Sequence, residues 1–477
     1  MRNARQDLAV DLCVIGAGSA GLSLAAGAAQ LGLKTALIER GVMGGDCLNT
    51  GCVPSKALLA SAAAAVSWRK SAELGVIQQA PEVDFVRVMA HVKGVIAAIA
   101  PMDSQERFEG FGITVIRESA AFAAADCVTT PSYRITAKRF VIATGSRPFV
   151  PPIPGLHELP FLTNETLFDL TELPEHLLVL GGGPIGCEMA QAFARLGSRV
   201  TLVERETLLP RADPEQAVLL AERLRAEGVT IRTASEATAV SRKRDGLALQ
   251  IESEAGGETI AASHLLVAVG RRPDYEGLAL ERADIALDGD RLVVDSRLRT
   301  TNRRVFAAGD AAGGEQFTHL AGAHAAVLIK NIAFRIPAKA NRLVIPRVTY
   351  CDPELAQVGL SETEALAAGH SVNLLRWSFQ ENDRAQSEHA TGGFIKVVTT
   401  AKGKILGASI LGHHAGELIQ PWVLALERRL PISAMATTMA PYPTLGEVSK
   451  RAAGSFYAPK LFSKRTRILV ALLKHLG

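Results

Sequence analysis

A chain of 477 residues with 48% hydrophobic and 21% charged side chains has the balance of a globular protein and the length of about three ordinary domains. Six cysteines, at positions 13, 47, 52, 127, 187 and 351, are too sparse for a secreted disulfide scaffold, so a cytoplasmic location is the expectation. The net charge of +4 is concentrated after Glu447, where Lys450, Arg451, Lys460, Lys464, Arg465, Arg467 and Lys474 meet no acid; so local an excess argues against a nucleic-acid partner.

At the N-terminus Arg2 and Arg5 precede an apolar run, as in a signal peptide, but Asp7 and Asp11 interrupt it, and it reads as a first buried strand. No run reaches the roughly 18 apolar residues a membrane span needs. Asp11 to Arg40 reads as a strand, a Gly-rich turn, a small-residue helix and a second strand that ends at Glu39. In the turn stand Gly16-x-Gly18-x-x-Gly21. Gly16 permits the tight turn, Gly18 lets backbone approach a pyrophosphate, and Gly21 allows close helix–strand packing. The helix N-terminus then faces the phosphates, and Glu39 can hold a ribose hydroxyl.

Next comes GGDCLNTGCVPSK, Gly44 to Lys56, in which Cys47 and Cys52 are separated by four residues. Such a pair can be a redox couple, half of a zinc site or a structural disulfide. A zinc site needs a second pair, but Cys127, Cys187 and Cys351 are isolated and the histidines do not cluster, so no metal site is expected. Cys13, Cys127, Cys187 and Cys351 sit in apolar contexts and read as inert core thiols.

Phe140 to Gly155 is a buried strand that runs into a Pro-rich linker. His176 to Arg205 then repeats the first unit, with Gly181, Gly183 and Gly186 at the turn and Glu204 again 23 residues after the first glycine. Two complete units with identical offsets imply two bound dinucleotides. Glu204 competes with a 2′-phosphate and Gly186 points the same way, which favours NADH over NADPH, although Arg199, Arg205 and Arg211 could accommodate a phosphate.

His264 to Asp274 repeats the strand–Gly–Arg–Pro pattern and reads as the return to the first domain. Thr300 to Gly314 is a strand ending in Gly309-Asp310, where Asp310 can take a sugar-alcohol hydroxyl, and a helix follows near Thr318. From about Ile345, strands and helices alternate as an α+β domain. The tail opens with Pro459 and reads as a helix with Leu461, Ile468, Leu472 and Leu476 along one face. It fits either a last helix packed across a dimer or an amphipathic anchor on an anionic membrane, at its inner face.

Together these residues resemble the pyridine-nucleotide disulfide oxidoreductases of the glutathione reductase, dihydrolipoamide dehydrogenase and mercuric reductase type. The resemblance is carried by Gly16–Gly21 with Glu39, Gly44–Lys56, Ala143-Thr144-Gly145, Gly181–Glu188 with Glu204, Gly270–Pro273, Ala308-Gly309-Asp310 and PYPTLGE near the C-terminus. It implies an α/β fold of two Rossmann-like dinucleotide-binding domains, for FAD and NAD(P), plus a C-terminal α+β dimerisation domain. The expected boundaries are 1–150 for the FAD domain, 151–272 for the NAD(P) domain, 273–344 for a central segment completing the FAD domain, 345–457 for dimerisation and 458–477 for a basic tail. Gly45, Lys56, Thr318 and His319 join the glycine and acidic positions as expected cofactor contacts. Cys52 is implied to be the flavin-side, charge-transfer cysteine, Cys47 the interchange cysteine, and Lys56–Glu188 a pair beside the flavin. The partner subunit of a homodimer is implied to complete each active site.

One position departs from that pattern. Where dihydrolipoamide dehydrogenase and glutathione reductase supply a histidine five residues before a glutamate, this chain has Tyr442 before Glu447. Taking a proton from a group of pKa near 10 rather than near 7 costs roughly 4 kcal/mol at neutral pH, so Tyr442 is a poor general base that can still donate a hydrogen bond. Mercuric reductases resemble the chain here, and a soft metal ion needs thiolates rather than a base. Yet no cysteine follows Cys351, so neither their C-terminal cysteine pair nor their N-terminal metal-binding domain is expected here. The expectation is an FAD-dependent NAD(P)H:disulfide oxidoreductase acting on a small-molecule or protein disulfide. The alternatives are a mercuric-type metal-ion reductase and a redox-sensing or electron-transfer flavoprotein.

Overall fold

The computed structural model describes residues 5–475; Arg2 and Leu476 lie outside the described residues. The N-terminal run forms the strand Gln6–Ile15. Thr35–Ile38 and Tyr133–Ile142 flank it in parallel, with Leu12 opposite both Thr35 and Arg139. Thr114–Ile116 extends this sheet on one side, and antiparallel strands Cys127–Thr129 and Ala121–Ala124 extend it on the other. Val305–Ala307 pairs in parallel with Phe140–Ile142, so the chain returns to its first sheet after the second nucleotide unit. Helices Ser19–Gln30 and Thr318–Ile332 pack together with this sheet in one apolar core, where Leu12, Val14, Leu24, Phe140 and Leu328 are fully buried.

The second unit carries a parallel sheet in the order Thr230–Arg232, Arg199–Val203, His176–Leu180, His264–Val267, with an antiparallel three-stranded sheet from Ser235 to Ala262. Ser146–Pro148 and Arg271–Pro273 pair antiparallel, so the entry to and exit from this unit are stitched together. The C-terminal portion is a five-stranded antiparallel sheet in the order Arg347–Thr349, Glu354–Gly359, Ile405–Gly412, Phe394–Thr400, Val372–Ser378, with Trp422, Phe379 and Ala452 in its core.

The helix after the cysteine motif begins at Cys52, and Pro54 sits in its first turn, where a missing N–H is tolerated. The expectation of a single tail helix is corrected. The tail is two helices, Ala458–Leu461 and Lys464–Leu473, because the Ser463 hydroxyl accepts the Thr466 N–H and starts a new helix; Leu461 therefore leaves the face of the second. The helical stretch Phe85–Gly110 is long and apolar enough to cross a membrane by length and composition. However, Phe85, Met89 and Val92 are buried in the core shared with Phe193 and Leu58, and a 3-10 turn interrupts it at Ala100–Asp103.

Candidate active site

A connected cleft of about 2250 Å³ runs from the first glycine turn, past the cysteine pair, to the second glycine turn. Gly16, Gly18, Glu39, Gly45, Cys47, Cys52, Lys56, Ala143, Thr144, Gly145, Gly181, Gly183, Glu188, Glu204, Gly270, Gly309, Asp310, Thr318 and His319 all line it. Gly21 and Gly186 stand behind the turns, where an added Cβ would meet the carbonyl oxygens of Gly16 and Gly181 at 1.8 and 1.9 Å.

The two glycine turns are built alike. At Gly16 (φ 108°) a Cβ would lie 2.3 Å from the Ala143 carbonyl oxygen, and at Gly181 (φ 114°) 2.4 Å from that of Ala268. Backbone thus approaches backbone so closely that only glycine fits. The carboxylates follow the same duplication. Glu39 accepts the N–H groups of Ala17 (2.7 Å) and Gly41 (2.6 Å), and Glu204 those of Gly182 (2.6 Å) and Glu206 (3.0 Å). Each turn therefore offers backbone donors, a helix N-terminus and a fixed carboxylate, the set that a dinucleotide's pyrophosphate and ribose require.

The cysteine loop is anchored from several sides. Asn49 donates to the carbonyls of Met43 and Gly45 at 3.0 and 2.8 Å. Asp46 accepts from the Thr50 hydroxyl and from Asn164 Nδ2, both at 2.8 Å, and Arg271 reaches it at 3.4 Å. Arg271 in turn donates to Asn164 and to Ser146, whose hydroxyl donates to Asp310 at 2.5 Å. Burial raises the Asp310 pKa, against that hydrogen bond. Ser146 and Arg271 follow Gly145 and Gly270 in the duplicated Gly–Arg–Pro segments; the sequence repeat marked those segments, but only the strand pairing brings them together.

Cys47 and Cys52 face each other across this loop as free thiols, and Thr318 Oγ1 lies 3.3 Å from Cys52 Sγ. Hydrogen bonding from the Cys47 thiol, then from Thr318, with the charge of Lys56, brings Cys52 down to about 6 against the opposing effect of burial. Cys47 shifts the other way: it donates to Cys52, is partly desolvated and feels the Cys52 charge. At neutral pH the reduced pair is thus a Cys52 thiolate beside a Cys47 thiol. Thr318, expected as a cofactor contact, is placed on Cys52. His319 is held by the Pro346 carbonyl at 3.0 Å and stacks on Phe317, and burial lowers its pKa.

Lys56 Nζ is 2.7 Å from Glu188 Oε2, as the resemblance implies. A residue that sequence reading missed completes this pair. The Tyr350 N–H donates to Glu188 Oε1 at 2.9 Å, and its ring centroid lies 4.3 Å from Lys56 Nζ. Tyr350 stands 162 positions from Glu188 and in no motif, so only the fold connects them. Tyr442 and Glu447 do not join the cleft of their own chain. Tyr442 is 70% exposed and donates to Asp383 Oδ2 at 3.1 Å, which raises its pKa. Among the described residues no group of three or more His, Cys, Asp or Glu side chains is gathered to hold a metal ion.

Residues 10–326 match the family described as pyridine nucleotide-disulphide oxidoreductase, and residues 345–453 match its dimerisation domain. The chain belongs to this family. It is 37% identical to dihydrolipoyl dehydrogenase of Thermus scotoductus, over 94% of this chain and 97% of that one. To mercuric reductase of Streptomyces lividans it is 35% identical, over 94% and 96%. The structure of the HOCl-induced flavoprotein disulfide reductase RclA from Escherichia coli superposes with a TM-score of 0.84 at 30% identity, over 93% of this chain and 99% of that one. The family assignment makes the chain an FAD-dependent oxidoreductase that uses a pyridine nucleotide, and its dimerisation domain supports a homodimer.

Proposed function

We propose that this cytoplasmic enzyme draws electrons from NADH and delivers them through the Cys47–Cys52 pair to a disulfide substrate. The observation that carries the reading is the opposed pair, with Cys52 held as thiolate by Cys47, Thr318 and Lys56, and Cys47 held as thiol. The turn of Gly16, Gly18 and Gly45, with Glu39 and Asp310, would hold FAD, which when bound would supply a two-electron relay between nicotinamide and disulfide. NADH would be held at the turn of Gly181 and Gly183. Glu204 stands where a 2′-phosphate would enter, Arg211 is bonded to Glu315, and Arg205 lies 3.5 Å from Glu206, so two of the three nearby arginines are already engaged.

Two electrons and one proton convert the Cys47–Cys52 bond into the Cys47 thiol and Cys52 thiolate. Cys47 passes its proton along its hydrogen bond to the Cys52 thiolate and attacks one sulfur of the substrate disulfide; a mixed disulfide forms, and the departing substrate sulfur takes that proton from Cys52 and leaves as a thiol. The Cys52 thiolate then attacks Cys47 Sγ, which re-forms the pair and releases the second substrate thiolate. Tyr442 and Glu447 of the partner subunit are proposed to face this exchange, with the Tyr442 hydroxyl as a hydrogen-bond donor to the departing sulfur rather than a base. A second reading, a thiophilic metal ion as acceptor, is favoured by Tyr442, because a soft cation binds thiolates without base catalysis, and by similarity to mercuric reductases.

The test is NADH and NADPH oxidation by the holoenzyme with lipoamide, oxidised glutathione or mercuric ion. The proposal expects the NADH reaction to dominate with at least one disulfide. Turnover with mercuric ion alone selects the second reading, and slow reoxidation by every acceptor refutes both.

A further inference from the structure

The helix Lys464–Leu473 is unlike every long helix that frames the cleft. It is ten residues long, begins at the Ser463 cap and buries none of its side chains. The neighbouring helix Glu447–Ser455 buries Val448, Ser449, Ala452 and Ala453 against the C-terminal domain. The tail helix, by contrast, leaves Ile468, Leu469, Leu472 and Leu473 each more than half exposed.

Its side chains are sorted by face. At about 100° per residue those four apolar positions fall within an arc of about 140°, with Lys464, Arg467 and Lys474 on the opposite side. Arg465 alone interrupts the arc, in the first turn, where its stem can follow the apolar surface while the guanidinium reaches outward. Five cations lie between Lys460 and Lys474, and no acidic residue follows Glu447. The Thr466 hydroxyl donates to the Lys460 carbonyl at 2.7 Å and fixes the helix to the turn before it.

Two observations say what covers this face. The match to the family's dimerisation domain ends at residue 453, eleven residues before this helix begins. The flanking charge is of one sign, and a purely cationic rim beside an apolar arc complements anionic headgroups above acyl chains. We infer that Lys464–Leu473 is a docking surface for an anionic lipid membrane, lying in the interface with its leucines in the acyl boundary and its lysines and arginines among the headgroups.

The experiment is sedimentation of the full-length holoenzyme with vesicles of phosphatidylcholine alone or mixed with phosphatidylglycerol. Two variants accompany it: Lys464→Gln with Arg465→Gln and Arg467→Gln, and Leu469→Gln with Leu472→Gln. The full chain is expected to bind the phosphatidylglycerol vesicles and to be released by salt. Loss of three charges lowers the partition on the order of a hundredfold, about fivefold per cation, and the leucine variant also fails to bind. Both variants remain dimers by sedimentation velocity and keep NADH oxidation. Four results overturn the inference: no binding by the full chain, equal binding to phosphatidylcholine, unchanged binding of either variant, or dissociation of the leucine variant into monomers. The last assigns the face to the partner subunit.

Discussion

Replacing Thr318 with valine removes one hydroxyl from the redox pair and keeps the side chain's shape. That hydroxyl lies 3.3 Å from Cys52 Sγ and is the second-largest influence lowering its pKa, after Cys47 and ahead of Lys56. A hydrogen bond to a charged acceptor contributes roughly 1.5–3 kcal/mol. At this separation from sulfur the lower end applies, and at about 1.36 kcal/mol per unit it corresponds to roughly one pKa unit. Cys52 should therefore move from about 6 towards about 7, so that the thiolate fraction at pH 7 falls from about nine-tenths to about half. The assay is a pH titration of the reduced enzyme, reading long-wavelength thiolate-to-flavin absorbance. Lys56→Met should shift the midpoint upward by less than Thr318→Val, and Cys47→Ala by more. An unchanged midpoint in Thr318→Val, or a larger shift in Lys56→Met, refutes the account of how the thiolate is held.

Tyr442→His should raise turnover with lipoamide by tenfold or more, up to the roughly 4 kcal/mol separating the two groups as bases; Tyr442→Phe should change it by only a few-fold. Glu188→Gln leaves Lys56 beside a neutral amide. Because Lys56 is more than a third exposed, the loss of stability is about 1–3 kcal/mol in denaturant unfolding rather than the full cost of a buried orphan charge. Glu204→Ala should raise the NADPH-to-NADH ratio of kcat/KM about tenfold, or about 1.4 kcal/mol, by freeing the Gly182 N–H and removing a negative charge that opposes a phosphate. Reduced-state stability should also follow the pair's titration. With Cys52 near 6 and Cys47 above the ordinary thiol value near 9, the reduced folded chain holds one proton fewer than the unfolded chain between those values and one more above 9. Stability from the pair therefore rises as pH climbs from 6 to 9 and declines beyond it, and Cys52→Ser should flatten the lower limb.

Local chemistry was legible in the sequence where one segment contains both partners of an interaction. The glycine turns with their acidic residues and the cysteine loop are of this kind, since each turn and the carboxylate that accepts its N–H lie within one strand–helix–strand unit, 22 positions apart. Lys56–Glu188 was legible only through resemblance, because it joins a helix of the first unit to one of the second. Tyr350, Ser146, Asn164 and Thr318's bond to Cys52 were not legible, since each contact exists only after sheets distant in sequence have packed. The break in the tail at Ser463 was hidden for a different reason. An unbroken helix and two helices separated by a serine cap present nearly the same apolar spacing, and the cap's hydrogen bond decides between them.

The central claim is that Cys47 and Cys52 form a second two-electron carrier in series with the flavin. Anaerobic dithionite titration of the holoenzyme, with thiols counted by alkylation before and after, tests it directly. The account predicts uptake of about four electrons per chain, with two new thiols at Cys47 and Cys52, and about two electrons in Cys47→Ser/Cys52→Ser. Uptake of only two electrons by the unsubstituted enzyme, purified in air, with no new thiols at these positions, would contradict it.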